Sequence, residues 1–236
     1  MKNNKVLCIG DSTSLPGHTN SYEDTWFYIL KQNFPDLDFI SLFRRSITTE
    51  ILVVEGGGDY TDNLPKGADC LEFYNPSIVI LQLGIVDCAP RLLNQFDKLI
   101  IKLSPQRFNK FYITFLKKIR KRKLSNTIVS PEKFFNNLEN YINRCSISKI
   151  DILIFISIPY PDNKMVNNNR GIITNIEKYN KIINDVSKEY NFIEIIQPLD
   201  CRKYKEQIFE DGYHPNSIGN FIVFQELKEI LTHKVQ

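Results

Sequence analysis

A chain of 236 residues, 42% of them hydrophobic, is long enough to bury a full core and falls within the size of one α/β domain, expected to span residues 1–236. A formal net charge of +3 with 24% charged residues carries no polyanion-binding signature, so nucleic acid is not an expected partner. The apolar run in the first ten residues is too short for a secretory leader, and no stretch reaches the roughly 18 apolar residues of a membrane helix, so the expected location is cytoplasmic. Five cysteines, Cys8, Cys70, Cys88, Cys145 and Cys201, lack metal-ligand spacing and are expected to be buried, reduced thiols.

Taken in order, the first β-rich run is Lys5 to Ile9, followed at once by Gly10-Asp11-Ser12. A helical pattern covers Tyr22 to Gln32, and a second strand Asp38 to Phe43. The run Glu55 to Tyr60 holds Gly56, Gly57 and Gly58, but no strand leads into it and no Lys-Ser or Lys-Thr follows, which argues against a phosphate loop. Ser77 to Leu83 is a nearly continuous apolar string ending in Gly84-Ile85-Val86-Asp87. Next comes a basic, amphipathic insertion, Gln106 to Lys123 (about 104–125 with its flanks). Its apolar residues Phe108, Phe111, Tyr112, Phe115, Leu116 and Ile119 recur at helical spacing among lysines and arginines. Three uses fit it: a helix packed on the body with a solvated basic end, a surface for an anionic glycan, a nucleotide-linked substrate or membrane headgroups, or an oligomer contact.

A helix is expected over Pro131 to Ile142 and a second apolar strand over Asp151 to Ser157. The polar stretch Asp162 to Gly171 reads as a loop, either a plain connection or a lid. Helix Ile172 to Tyr190, strand Phe192 to Ile196 and helix Ser217 to Leu231 complete the chain. Strands alternating with helices imply a parallel five-stranded sheet in a three-layer α/β/α sandwich. Ligands in such folds bind beyond the carboxyl ends of the strands, where Ser12 and Gly84 to Asp87 fall.

Asp211-Gly212-Tyr213-His214, just before the last helix, supplies the chemistry that Ser12 needs. A serine hydroxyl becomes a useful nucleophile when a neutral imidazole takes its proton, and a carboxylate fixes the tautomer of that imidazole. Asp11 is expected to cap backbone amides and stiffen the turn. His18 and His233 have no comparable company.

The runs CIGDSTS, LQLGIVDCAPR and DGYHPNSIGN resemble blocks I, III and V of the SGNH/GDSL hydrolase superfamily, in order. The resemblance implies a flavodoxin-like sheet, Ser12 as nucleophile, His214 as general base and then acid, Asp211 as the orienting carboxylate, and no metal or other cofactor. It also implies an ester substrate, a small molecule or a glycan carrying O-acyl groups, with a possible acyl donor if the reaction is transfer. In the oxyanion and substrate-binding set it places Ser12, Ser46, Gly84 and Asp87. Two departures stand out. Ser46 occupies the place of the block II glycine, and Val86 replaces the block III asparagine, removing a side-chain donor. Arg44, Arg45, Arg91, Gln82 or water are candidates to fill that gap. A catalytically silent glycan-binding module is the competing reading; a nucleotide or flavin site fits poorly, because Asp11 would repel phosphate.

Overall fold

A computed structural model describes residues 3–53, 67–90, 95–120, 127–169 and 171–235. Five parallel strands, β1 (Lys5–Gly10), β2 (Asp38–Phe43), β3 (Ile78–Gln82), β4 (Ile152–Ile156) and β5 (Ile193–Ile196), form one sheet in the order β2-β1-β3-β4-β5. The two strongest apolar strings, β3 and β4, are buried along their whole length, as strands covered on both faces require. The chain leaves β1 in one direction to form β2 and reaches β3 on the other side. Gly10 therefore sits in register between Phe43 and Gln82, at the point where a doubly wound sheet opens a crevice.

One face of the sheet is covered by α2 (Gly67–Tyr74), α6 (Pro131–Ile147) and α8 (Ile172–Ser187), through residues such as Leu71, Phe134, Tyr141, Ile176 and Tyr179. The other face is covered by α1 (Trp26–Asn33) and α9 (Ser217–Val235), through Trp26, Phe27, Leu30, Val223 and Leu227. The architecture is the three-layer sandwich that the alternating pattern predicts.

Local chemistry sets the ends of these elements. The helical pattern from Tyr22 divides at Thr25, whose side chain accepts the Tyr28 amide and starts α1. Ser130 caps α6 with Pro131 at its first position. This helix runs to Ile147, beyond its expected end. Between β3 and α6 lie the short α3 (Ile85–Cys88), then α4 (Gln95–Leu103) and α5 (Gln106–Arg120). Of the basic insertion, Lys121 to Lys123 lie outside the described residues, as do Gly56 to Gly58. The stretch expected as a loop from Asp162 instead contains α7 (Asn163–Asn168), because the Asp162 carboxylate accepts the Met165 amide and nucleates a turn. Cys8, Cys70, Cys88 and Cys145 are buried; Cys201, expected buried as well, is only partly so, with its thiol on the Pro161 carbonyl.

Candidate active site

Beyond the end of β1, Asp11 through Ser14 form one tight 3-10 turn over Ser12–Ser14. The Asp11 carboxylate accepts the Thr13 amide at 2.9 Å and the Thr13 hydroxyl at 2.8 Å, so this acid shapes the turn. Below it, Gln82 Oε1 accepts both the Ser14 hydroxyl at 2.6 Å and the Trp26 indole N–H at 2.8 Å. Gln82 thus anchors the Ser12 turn through its side-chain oxygen, while its amide nitrogen Nε2 is buried without a hydrogen-bond partner among the described residues. At the head of the turn the Ser12 amide has no intrahelical acceptor, which leaves it available to a developing anion.

The second half of the site comes from a closed loop before α9, pinched by an antiparallel bridge between Phe209 and Pro215. Within it, His214 Nδ1 lies 2.7 Å from Asp211 Oδ2, and His214 Nε2 lies 2.9 Å from Ser12 Oγ. An ionised carboxylate only accepts, so Nδ1 carries the proton and Nε2 is left to accept from the serine hydroxyl. Burial tends to raise the Asp211 carboxyl, but the hydrogen bonds from the His214 ring and amide outweigh it and hold the group below the usual carboxylate range. Ser12 is 9% exposed. The three residues named from the sequence are therefore brought together.

Several neighbours keep the two halves in register. Glu210 accepts the His18 amide at 2.8 Å, and the Thr19 amide and hydroxyl at 3.0 and 2.7 Å. Its own amide donates to the His214 carbonyl at 3.0 Å. Asn20 donates to the Pro215 carbonyl, and Asn220 accepts the Trp26 amide. Gly212 has φ 115°, and a side chain there would run into Met165 and Asp162; Asp162 N–H also donates to the Gly212 carbonyl. Helix α7 thus buttresses the Asp211–His214 loop.

The opposite flank of Ser12 is built differently. Ser46 follows β2 in the left-handed conformation, φ 64°, which glycine adopts freely and serine at a cost of roughly 1–2 kcal/mol. This is the backbone of a glycine position carrying a serine. Gly84, φ 121°, turns β3 into α3, where a side chain would strike Ile158. Val86 is 6% exposed and packs in the core with Phe134, Leu138 and Ile158. Asp87, expected at the substrate edge, is instead fully buried. Its carboxylate accepts the Thr49 hydroxyl at 2.6 Å and the Thr49 amide at 3.0 Å, while Asn137 donates to the same hydroxyl. Asp87 is therefore a support for the loop after Ser46. Burial pushes Asp11 up to about 7 and Asp87 up to about 6, against the lowering effect of their threonine partners.

Of the remaining candidates, Arg45 donates to the Pro16 carbonyl at 3.2 Å, and the Arg44 amide donates to Gly10. Arg91 lies outside the described residues. His18 and His233 are both exposed.

No protein-family model matches the chain, and no curated protein matches it in sequence. Solved structures do. A psychrotrophic esterase from Pseudoalteromonas sp. superposes with a TM-score of 0.59 at 16% identity, covering 99% of each chain. A member of the lipolytic G-D-S-L family from Veillonella parvula gives 0.56 at 13% identity, over 97% of this chain and 98% of that one. An acetylxylan esterase from Geobacillus stearothermophilus gives 0.59 at 14% identity, over 96% and 93%. The sheet order, the helices on its two faces and these full-length superpositions agree, and the chain has the fold of the SGNH/GDSL hydrolases.

Proposed function

We propose that this chain is a serine-dependent ester hydrolase or acyltransferase of the SGNH/GDSL superfamily, acting on O-acyl groups, O-acetyl in the first instance, of a carbohydrate. The observation that carries the reading is the unbroken line of hydrogen bonds from Asp211 through His214 to Ser12. Ser12 Oγ attacks the acyl carbon while its proton passes to His214 Nε2, and Asp211 stays ionised to stabilise the imidazolium. The tetrahedral oxyanion faces the Ser12 amide, with the Ser46 and Gly84 backbones as further donors. Collapse expels the alcohol, which takes the proton back from His214 and leaves acyl-Ser12. Water or a second alcohol then gives its proton to His214 and attacks the acyl carbon; collapse of this second intermediate breaks the bond to Ser12 Oγ, which regains the proton from His214, and releases the acid or the new ester.

The choice of acetyl groups on sugars rests on the likeness to the acetylxylan esterase, together with the family resemblance of the motifs. Transfer is retained beside hydrolysis because both resolve the same acyl-Ser12 and differ only in whether water or an alcohol attacks it.

Labelling with a fluorophosphonate probe, read by intact mass, tests the nucleophile. One adduct is expected on the wild-type protein and none on Ser12→Ala. A folded wild type that takes no adduct overturns the enzyme reading in favour of a glycan-binding module. Turnover of p-nitrophenyl acetate with and without sugar acceptors then separates the two reactions, since a product that forms only with acceptor belongs to a transferase.

A further inference from the structure

Charge is distributed unevenly along this chain. Between Gln95 and Lys123 there are ten basic residues and a single acid, Asp97, whereas the rest of the sequence has twenty basic and twenty-six acidic residues. The net +3 is therefore the difference between a segment of +9 and a body of −6. This segment comprises α4, α5 and the basic residues that follow them.

Helix α5 uses one face to fold against α4. Asn109 donates to the carbonyls of Ile101 and Ser104, the Tyr112 hydroxyl donates to Asp97 at 2.9 Å, and Leu116 is buried. The only acid of the segment is thus turned inward and does not offset the basic surface. A neighbouring stripe of α5, with spacings of three and four residues, points outward: Phe108, Phe111 and Phe115, of which Phe111 is 70% exposed. Leu99 and Leu103 of α4 are exposed as well, so this hairpin holds five of the twelve exposed large hydrophobic residues among those described. Arg107 and Lys110 are exposed on the same helix.

We propose that the α4–α5 hairpin is a docking surface for an anionic lipid bilayer. The phenylalanine ridge enters the boundary between headgroups and acyl chains, and the exposed Lys102, Arg107 and Lys110 meet lipid phosphates. An interfacial helix has this composition, with aromatic and aliphatic residues on one side and lysine or arginine on the other. No helix among the described residues is long and apolar enough to cross a membrane, so the contact is peripheral. A second copy of the chain is disfavoured, because a two-fold pairing would set the exposed Lys102, Arg107 and Lys110 against the same cations. A soluble polyanion would satisfy the charges but leave Phe111 and the ridge in water. The proposal is independent of the chemistry assigned to Ser12.

Co-sedimentation of the full chain with phosphatidylcholine vesicles, with and without phosphatidylglycerol, tests it. Binding should require phosphatidylglycerol and weaken as added salt screens the contact. It should fall about fivefold for each charge removed by Arg107→Gln and Lys110→Gln, and about tenfold in Phe111→Ser. Ser12→Ala should bind as wild type does. Absence of binding to phosphatidylglycerol vesicles overturns the proposal. Vesicle binding unaffected by Phe111→Ser also overturns it and assigns the surface to soluble polyanions. Concentration-dependent dimerisation abolished by Phe111→Ser overturns it too, and gives the face to a second copy. Should a variant fail to fold, the lipid and salt dependence of the wild type decides the matter alone.

Discussion

The two flanks of Ser12 are held by different forces. On the Asp211–His214 side, position is fixed by directional hydrogen bonds between side chains and loops, with Glu210, Asn20 and Asn220 spanning the two halves. On the Gly84–Asp87 side, position is fixed by packing and by a buried carboxylate, with Val86 in the core and Asp87 beneath Thr49. In the proposed reaction the first flank supplies side chains and the second supplies backbone. A proton relay needs distances set to within a fraction of an ångström, which hydrogen bonds supply, whereas an amide needs only that its peptide not move.

The largest test of that contrast falls on the polar flank. Asp211→Asn keeps the shape but lets the side-chain amide favour the wrong imidazole tautomer, and turnover of p-nitrophenyl acetate should fall by about 10²–10⁴-fold. Near-normal turnover in Asp211→Asn would mean that His214 is oriented by something else.

The next test addresses the buried flank through pH. Asp87 is raised from its ordinary 3.8 to about 6, so the folded protein keeps a proton that the unfolded chain has lost. Stability from this group is fully present below the lower value and lost as pH rises through the higher one. Urea unfolding of the wild type and Asp87→Asn should therefore diverge between pH about 4 and about 7, by on the order of 3 kcal/mol, with the wild type losing ground as pH rises. Parallel curves would show that the Thr49 bonds keep Asp87 ionised. The smallest effect is expected from Val86→Asn, which puts an amide into the core at a cost of about 1–3 kcal/mol with turnover changed less than tenfold. A rise in rate of about 10²-fold would instead reveal a flank that lacks one side-chain donor.

Much of this was legible in the residues, for identifiable reasons. β3 and β4 are apolar throughout because both their faces are covered, and that leaves a mark in any sequence. Ser12, Asp211 and His214 sit in short motifs at element boundaries, so their meeting could be expected before it was seen. Helix α7 was hidden because its composition is polar; the one signal was Asp162, a cap residue just ahead of it. Ser46 was a poor match to a glycine position until its φ was known. Asp87 was misplaced at the substrate edge because its partner, Thr49, is 38 residues away. Glu210 left no signal, since two of its partners are backbone amides of a loop 191 and 192 residues distant.

The bond between His214 and Ser12 spans 202 residues, and α1 and α9 share one core beneath it. Closing so long a loop carries a large entropic cost before any contact repays it. On the proposed chemistry, a growing chain that has made β1 and its turn owns a serine without a base until the 202 residues that lead from Ser12 to His214 have been synthesised. Detachment of α9 would silence the same serine while the sheet still stands. In the proposed reaction, reactivity at Ser12 is in that sense a report on whether β1 and the loop ahead of α9 have met.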